Sequence, residues 1–413
     1  MVNRIPTVDG IESAFNSFPA ELIAKTPLVR HEGLSQEFDA DIWLKKEMEQ
    51  PIGSYKVRGA FNAALHVPRN NGHEIVCASA GNHAQGVAAS SKYLGHPAHI
   101  FMPKITPAPK VEATRRFGGE NVEISLVGDT FAEAARQAHE YAEARRALFI
   151  HPFNDPHVIE GQGTVGLEIL EQQPHIDYVL APVGGGGLVS GIATYMKHKS
   201  PDTKVIGVEP KEAAAMRSSI DAGRVVTLDR ISTLIESVAV NAPGALTFAL
   251  TQKYVDDILT VSENHACDAF LRLHETYGIH VELAGALPVA ALDVMRNEIR
   301  GKTVACVLSG RNFDMRNGHK YAERAELHRG RLKYIRIRLP DRPGALHNVT
   351  SLMEPANITY LYHDSSQEDT GVLMGLESAT DGVVDAAIQR LRNGQVSVDD
   401  ISGHADLHTI LRR

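Results

Sequence analysis

The chain has 413 residues, of which 43% are apolar and 22% charged, as in ordinary globular proteins with two or three domains. A net charge of −8 disfavours nucleic acid or an anionic membrane as the main partner. Three scattered cysteines without a CxxC pair argue against a disulfide framework and a structural zinc site. No apolar run resembles a signal peptide or a membrane span, so we expect a cytoplasmic protein.

The first candidate functional residue in chain order is a lysine at the start of a helical pattern. The stretch PIGSYKVRGAFN, residues 51–62, surrounds Lys56 with Gly53, Ser54 and Gly59, and AFNAALH has helical spacing. A solvated surface lysine does not need small neighbours on both sides. A lysine that bonds covalently to a ligand does, and we predict that role for Lys56.

Short apolar runs then alternate with helical patterns, as in HEIVCAS followed by NHAQGVAASSKYLG, which predicts parallel sheets covered by helices. One junction, ASAGNHAQGVA, places Ser79, Gly81 and Asn82 between a strand and a helix. Amides and a hydroxyl there are suited to a carboxylate, and the Asn82 amide offers both a donor and an acceptor. Simple helix capping by Ser79 or Asn82 is the alternative interpretation.

A second junction, YVLAPVGGGGLVSGIA, sets Gly184, Gly185, Gly186 and Gly187 between a strand and a helix. Bare N–H groups that lead into a helix N-terminus form an anion cradle suited to a phosphate, and the Leu188 amide would be part of it. The sequence here matches neither the Walker motif nor the dinucleotide-binding fingerprint. A flexible connector is the alternative.

The last strand of this region, in CVLSGRNFD, ends at Ser309, at the edge of the sheet where ligands of open parallel sheets bind. A serine there is often only a cap. Together, however, the lysine, the phosphate cradle, Asn82 and Ser309 match pyridoxal 5′-phosphate, which needs an amine for its aldehyde and partners for its phosphate, ring hydroxyl and ring nitrogen.

The composition changes near residue 330. Beyond it, LKYIRIRLP, GALHNVTSLM, ITYLYHDS, GVLMGLES and VVDAAIQRLR give a β-α-β-β-α order, which is typical of a ferredoxin-like module. We therefore predict a catalytic body over residues 1–330, with a smaller α/β subdomain around 55–150, and a separate domain over 331–413.

The motifs resemble those of the biosynthetic threonine ammonia-lyases, or threonine dehydratases, which are fold-type II pyridoxal-phosphate enzymes. GSYKVRGA, SAGNHAQGVA, HPFNDPHVIEGQGTVGLEIL, PVGGGGLVSG and CVLSG follow in the family's order and spacing. The resemblance implies a tryptophan-synthase-β-like body of two open parallel-sheet subdomains, followed by one ACT-like regulatory domain.

The same resemblance implies the roles of individual residues. Lys56 is the Schiff-base lysine and catalytic base. The other cofactor-binding residues are Tyr55, Asn82, Gly184, Gly185, Gly186, Gly187, Leu188, Glu282 and Ser309. The substrate carboxylate site is formed by Ser79, Ala80, Gly81 and His83.

Two departures bear on serine racemase, the nearest rival within the fold. Racemases of this fold carry a serine acid/base where this chain has Ala80. They also bind a divalent cation through a motif resembling EPKEAAA, in which Glu209 matches but Ala215 replaces the last acidic residue. We therefore expect neither racemisation nor a metal site.

The implied activity is deamination of L-threonine, with L-serine as a possible second substrate, to an oxoacid and ammonia. The ACT-like domain implies inhibition by isoleucine and activation by valine, with Gly344 in the contact region, in a homodimer or homotetramer. A domain that serves only dimerisation or stability is the alternative. Rival functions are a catabolic serine/threonine dehydratase, an eliminase acting on 3-hydroxyaspartate, and an amino-acid-sensing protein without catalysis.

Overall fold

The computed structural model describes residues 4–68, 73–340, 342–364 and 370–403. The chain divides into two compact units, one ending at Phe313 and one beginning at Asp314. This division lies before the predicted boundary at residue 330, because the helix Gly318–His328 packs on the first strand of the second unit. Within the described ranges, no helix combines the length and apolarity needed to cross a bilayer.

The first unit consists of helices that alternate with strands. Its helices are α1 (Val8–Asn16), α2 (Glu32–Phe38), α3 (Lys56–Leu65), α4 (Asn82–Leu94), α5 (Ala108–Gly118), α6 (Phe131–Arg145), α7 (Pro156–Gln172), α8 (Gly187–Lys199), α9 (Ala215–Ala222), α10 (Ala245–Tyr254), α11 (Glu263–Leu271) and α12 (Leu283–Val294). Its strands are β1 (Leu28–Arg30), β2 (Asp41–Lys45), β3 (Ile75–Ala78), β4 (Ala98–Met102), β5 (Val122–Leu126), β6 (Leu148–Phe149), β7 (Tyr178–Pro182), β8 (Lys204–Pro210), β9 (Asp257–Val261) and β10 (Thr303–Val307).

These strands form two sheets. The larger has the order β1-β2-β10-β7-β8-β9 and is parallel except for the short edge strand β1. The smaller, β5-β4-β3-β6, is parallel throughout. Every residue of β3 and β7 is buried, as expected where helices cover both faces of a sheet. The predicted α/β body with two open parallel sheets is confirmed.

Helix α3 is held in the interior of this unit. All residues from Val57 to Ala64 are buried, and glycines allow a neighbouring helix to approach closely. A Cβ at Gly59 would lie 2.4 Å from Nε2 of Gln162 on α7, and one at Gly161 would lie 2.6 Å from the Arg58 carbonyl oxygen. The close packing of α3 against α7 fixes the position of Lys56, the first residue of α3.

The second unit has the helices α13 (Gly318–His328), α14 (Ala345–Met353) and α15 (Val383–Asn393). Its strands are β11 (Leu332–Leu339), β12 (Asn357–Asp364), β13 (Thr370–Glu377) and β14 (Ser397–Asp400). They form an antiparallel sheet in the order β12-β13-β11-β14, with a core shared with α14 and α15. The ferredoxin-like module is confirmed, and β14 completes it. Asp341 and residues 404–413 lie outside the described residues.

Candidate active site

Lys56 begins α3 and directs its amine into the interior of the first unit. Its Nζ donates a hydrogen bond to the carbonyl oxygen of Pro152 at 2.8 Å and lies 5.4 Å from the centroid of the Tyr55 ring. Burial lowers the pKa of this amine from its ordinary 10.5 to about 8, although the nearby Glu282 carboxylate opposes the shift. A substantial fraction of the amine is therefore neutral, and nucleophilic, near physiological pH.

Backbone hydrogen bonds join the segment before Lys56 to the predicted ring-nitrogen residue. The Tyr55 amide donates to the Ser309 carbonyl oxygen at 3.1 Å, and Ser54 pairs with Gly310 as an antiparallel bridge. Ser309, which is buried, follows β10 at the carboxyl edge of the larger sheet, as predicted. Lys56 and Ser309 are therefore held in neighbouring segments.

Asn82 and Glu282 form a polar pair in the same region. The Asn82 Nδ2 donates to both Glu282 carboxylate oxygens at 3.1 Å. Glu282 is almost fully buried, and this burial raises the pKa of its carboxyl group, while the Asn82 amide opposes the rise. Glu282 also raises the pKa of Lys56 by its charge, so the three side chains share one electrostatic environment.

The tetraglycine loop has the shape that its composition predicts. Gly186 has a φ of +90°, which favours glycine, and α8 begins at Gly187. A Cβ at Gly185 would lie 2.3 Å from the Phe153 ring, so a side chain cannot be accommodated there. Leu188 is buried in the first turn of α8. The first turn of a helix offers free N–H groups to an anion.

The residues Pro152 and Phe153 connect the two halves of the predicted cofactor site. The carbonyl oxygen of Pro152 accepts a hydrogen bond from the Lys56 amine, and the ring of Phe153 lies against Gly185. The lysine and the glycine loop, which are far apart in sequence, therefore meet at adjacent residues. The HPFN stretch was part of the family motif, but nothing in its composition indicated this bridging position.

The loop before α4 holds the predicted substrate residues. The Ser79 hydroxyl accepts a hydrogen bond from the Gly81 amide at 3.3 Å, and Ala80 packs against the core of the smaller sheet. His83 is buried, with Nε2 on the carbonyl oxygen of Ile150 at 3.0 Å, and burial lowers the pKa of its imidazole to about 3. The ring of His83 is therefore neutral and supplies no positive charge to a carboxylate.

Glu209 has a structural partner. Its carboxylate accepts hydrogen bonds from the Met216 and Arg217 amides at 2.9 and 2.8 Å, and so caps the N-terminus of α9. Burial raises the pKa of this carboxyl group to about 7. Among the described residues, no group of three or more histidine, cysteine, aspartate or glutamate side chains is arranged to hold a metal ion.

A buried cluster of charges surrounds Arg58, which follows Lys56 by two residues in α3. Arg58 donates to Glu47 at 2.8 Å and to Glu168 at 2.7 Å, and Lys45 donates to Glu168 at 2.5 Å. All four side chains are at most 1% exposed, and two positive charges balance two negative ones. The cluster ties α3 to β2 and α7. Arg58 stood inside the quoted lysine motif, but its partners could not be identified from the sequence.

Residues 20–310 match the family model described as pyridoxal-phosphate dependent enzyme. The chain belongs to this family. The biosynthetic L-threonine dehydratase IlvA of Halalkalibacterium halodurans is 40% identical over 399 residues, which cover 95% of this chain and 96% of that protein. The processed form of threonine deaminase isoform 2 from Solanum lycopersicum superimposes with a TM-score of 0.73 at 36% identity, covering 79% of this chain and 92% of that one.

Maize serine racemase has the same fold, with a TM-score of 0.71 and 30% identity over 79% of this chain and all of its own. Overall fold therefore does not separate a dehydratase from a racemase within this pyridoxal-phosphate family. The residues that would separate them are local ones, such as Ala80.

The site of this pyridoxal-phosphate enzyme fits its cofactor. A buried amine with a lowered pKa can bond the aldehyde, and a loop that excludes side chains at Gly185 can take the phosphate. Asn82 and Ser309 are neutral polar residues of the kind that the ring would need. The residues present are therefore the ones that pyridoxal 5′-phosphate requires.

The lowered pKa of Lys56 predicts how cofactor loading depends on pH. Because the neutral amine is the nucleophile, the rate of covalent attachment of pyridoxal phosphate to apoprotein should rise with pH and level off above about pH 8. Stopped-flow absorbance across a pH series measures this rate. A rate that keeps rising tenfold per pH unit toward 10.5 would show that the amine has its ordinary pKa.

Proposed function

We propose that this protein is a biosynthetic threonine dehydratase, which eliminates water from L-threonine to give an enamine. Hydrolysis of this enamine through its imine then takes up one water and releases ammonia and 2-oxobutanoate. The observation that carries the proposal is the meeting of the Lys56 amine and the tetraglycine loop at Pro152 and Phe153. The dehydratase named above matches nearly the whole chain, including the second unit, which supports a biosynthetic role.

Lys56 is the group that moves the proton in this proposal. Bound pyridoxal phosphate would supply the electron sink for the bond at Cα. With a pKa of about 8, Lys56 is a base strong enough to take the Cα proton, and near physiological pH a much larger fraction of it is neutral than of an ordinary lysine. Ser309 is neutral, so it accepts or donates a hydrogen bond at the ring nitrogen without holding a full charge there. A weaker sink favours loss of the β-hydroxyl over competing reactions.

The substrate carboxylate would be bound by backbone amides of the loop from Ser79 to His83. The N–H groups of Asn82 and His83 belong to the first turn of α4, where an anion is stabilised by the helix dipole. Since the imidazole of His83 is neutral and bonded to Ile150, its amide and not its ring is the group suited to the carboxylate.

The rival functions within the fold can be distinguished by their substrates and products. We expect turnover of threonine to exceed that of serine and 3-hydroxyaspartate, and we expect no D-serine, because Ala80 cannot transfer a proton to the second face of Cα. Side-by-side assays with the three substrates measure the order. Chiral chromatography of a serine incubation measures racemisation, and D-serine formed at the rate of oxoacid would favour the racemase.

We further propose that the second unit binds isoleucine as an inhibitor and valine as an activator near Gly344, in a cytoplasmic homodimer or homotetramer. Gly344 has a φ of +86° at the start of α14, and apart from its chain neighbours no atom of the described residues lies within 4 Å of its Cβ position. Steady-state release of 2-oxobutanoate, with and without isoleucine, tests both activity and regulation. Isoleucine should raise the threonine concentration needed for half saturation; an unchanged curve would favour a purely structural domain.

A further inference from the structure

The side chain of Asn312 connects three segments of the candidate active site. Its Nδ2 carries two hydrogens and donates to the Ile52 carbonyl oxygen and to the Asn82 Oδ1, each at 2.8 Å, with the Gln85 Oε1 as a third, more distant acceptor at 3.2 Å. Ile52 lies in the segment just before α3, which begins at Lys56, and Asn82 and Gln85 lie in the first turn of α4. Asn312 itself follows Ser309 by three residues, although it was not among the predicted site residues.

These contacts determine which way the Asn82 amide points. An asparagine amide has one acceptor end and one donor end, and the two can exchange by rotation. Asn312 donates to the acceptor end, Oδ1, so the donor end, Nδ2, is turned toward the Glu282 carboxylate. In the rotated state, two donors would face each other at Asn312 and two acceptors at Glu282.

The position of Asn312 is built into the backbone around it. The Arg311 amide donates to the Gly53 carbonyl oxygen at 2.9 Å, and Gly53 has a φ of +77°. A Cβ at Gly53 would lie 2.7 Å from the Asn312 Oδ1, so a side chain there would displace the amide. Gly53, one of the small residues before Lys56, thus makes room for Asn312.

We propose that Asn312 is a positioning residue, which fixes the Asn82 amide so that the end bonded to Glu282, the donor Nδ2, is also the end presented to the cofactor's ring hydroxyl. The inference rests on the proposed function, since it assigns the orientation of a group in the same pyridoxal-phosphate site. Its consequence is specific: loss of Asn312 weakens recognition of the ring hydroxyl and leaves recognition of the phosphate and aldehyde intact.

The test compares binding of two cofactors to apoprotein, pyridoxal 5′-phosphate and 3-deoxypyridoxal 5′-phosphate, which lacks the ring hydroxyl. In Asn312→Asp the new carboxylate accepts from the Asn82 Nδ2 and rotates the amide. We expect the affinity for pyridoxal phosphate to fall by roughly tenfold or more, the usual effect of losing a hydrogen bond to a charged partner. The affinity for the deoxy analogue should change less than about threefold, because that analogue makes no such bond.

Asn312→Ala separates orientation from charge, since it releases the Asn82 amide without adding a carboxylate. The loss of affinity that this variant causes should again be confined to pyridoxal phosphate and should be smaller than the loss caused by Asn312→Asp. Asn297→Asp makes the same chemical change at an exposed turn and should leave both affinities unchanged. Thermal melting of each apoprotein checks that the variants are folded.

Equal affinities in native and variant proteins, or equal losses for both cofactors, would overturn the role of Asn312 while the proposed function stands. If the native apoprotein binds neither cofactor, the proposed function and the inference both fail. A selective loss for pyridoxal phosphate alone supports the inference.

Discussion

Lys56→Ala is expected to lower threonine turnover by at least about a thousandfold, because it removes both the covalent anchor and the proton-transfer group. The visible absorbance of the bound cofactor should be lost together with turnover. Release of 2-oxobutanoate from purified native and variant protein, each with added pyridoxal phosphate, measures the effect.

The matched control for this variant is Lys25→Ala. Lys25 is a half-exposed lysine of the same unit, paired with Glu171 on the surface, and its loss should leave turnover and absorbance unchanged. Full turnover by Lys56→Ala would contradict the role assigned to this amine. Full cofactor absorbance with no turnover would restrict that role to proton transfer.

Arg58→Met is expected to lower the free energy of unfolding strongly. Removal of this guanidinium leaves Glu47 and Glu168 buried in the interior with Lys45 as their remaining cation. Breaking a buried ion pair from one side costs about 3–5 kcal/mol, because the remaining charge is uncompensated. Denaturant titration, followed by the fluorescence of Trp43 on β2, measures the change in the first unit.

Arg136→Met is the control for this change in chemistry. Arg136 pairs with Glu140 on an exposed face of α6, and such pairs contribute less than about 1 kcal/mol. Arg58→Lys should fall between the two, since a lysine keeps the charge but cannot donate to both carboxylates in the same geometry. A cost for Arg58→Met no larger than that for Arg136→Met would show that the cluster does not stabilise the fold.

The fold could be predicted where burial leaves an apolar pattern in the sequence. Strands such as β3 and β7 are uniformly apolar and are followed by helical patterns, so their parallel arrangement could be expected. Strand β1 has three residues at a sheet edge, and β14, Ser397–Asp400, is polar and largely exposed. Neither carries a clear apolar pattern. An edge strand is held by backbone hydrogen bonds, which do not depend on apolar side chains and so leave no pattern in the sequence.

Some residues of the candidate site could be predicted from the sequence and others could not. Lys56 and the tetraglycine loop could be found because unusual residues stand close together in the sequence. Asn312 and Arg58 act through partners such as Asn82 and Glu168, which lie 230 and 110 residues away along the chain. Pairings of that kind depend on how the two sheets come together, and one sequence does not report them.

The most direct test is to identify the amine that holds the cofactor. Native protein loaded with pyridoxal phosphate is reduced with borohydride, which makes the attachment permanent, and is then digested and analysed by mass spectrometry. The tag is expected on the peptide that contains Lys56, and Gly185→Ala, which places a side chain against Phe153, should reduce the amount of tag. A tag on any other lysine, or undiminished tagging of Gly185→Ala, would contradict a site in which the amine and the glycine loop hold one molecule.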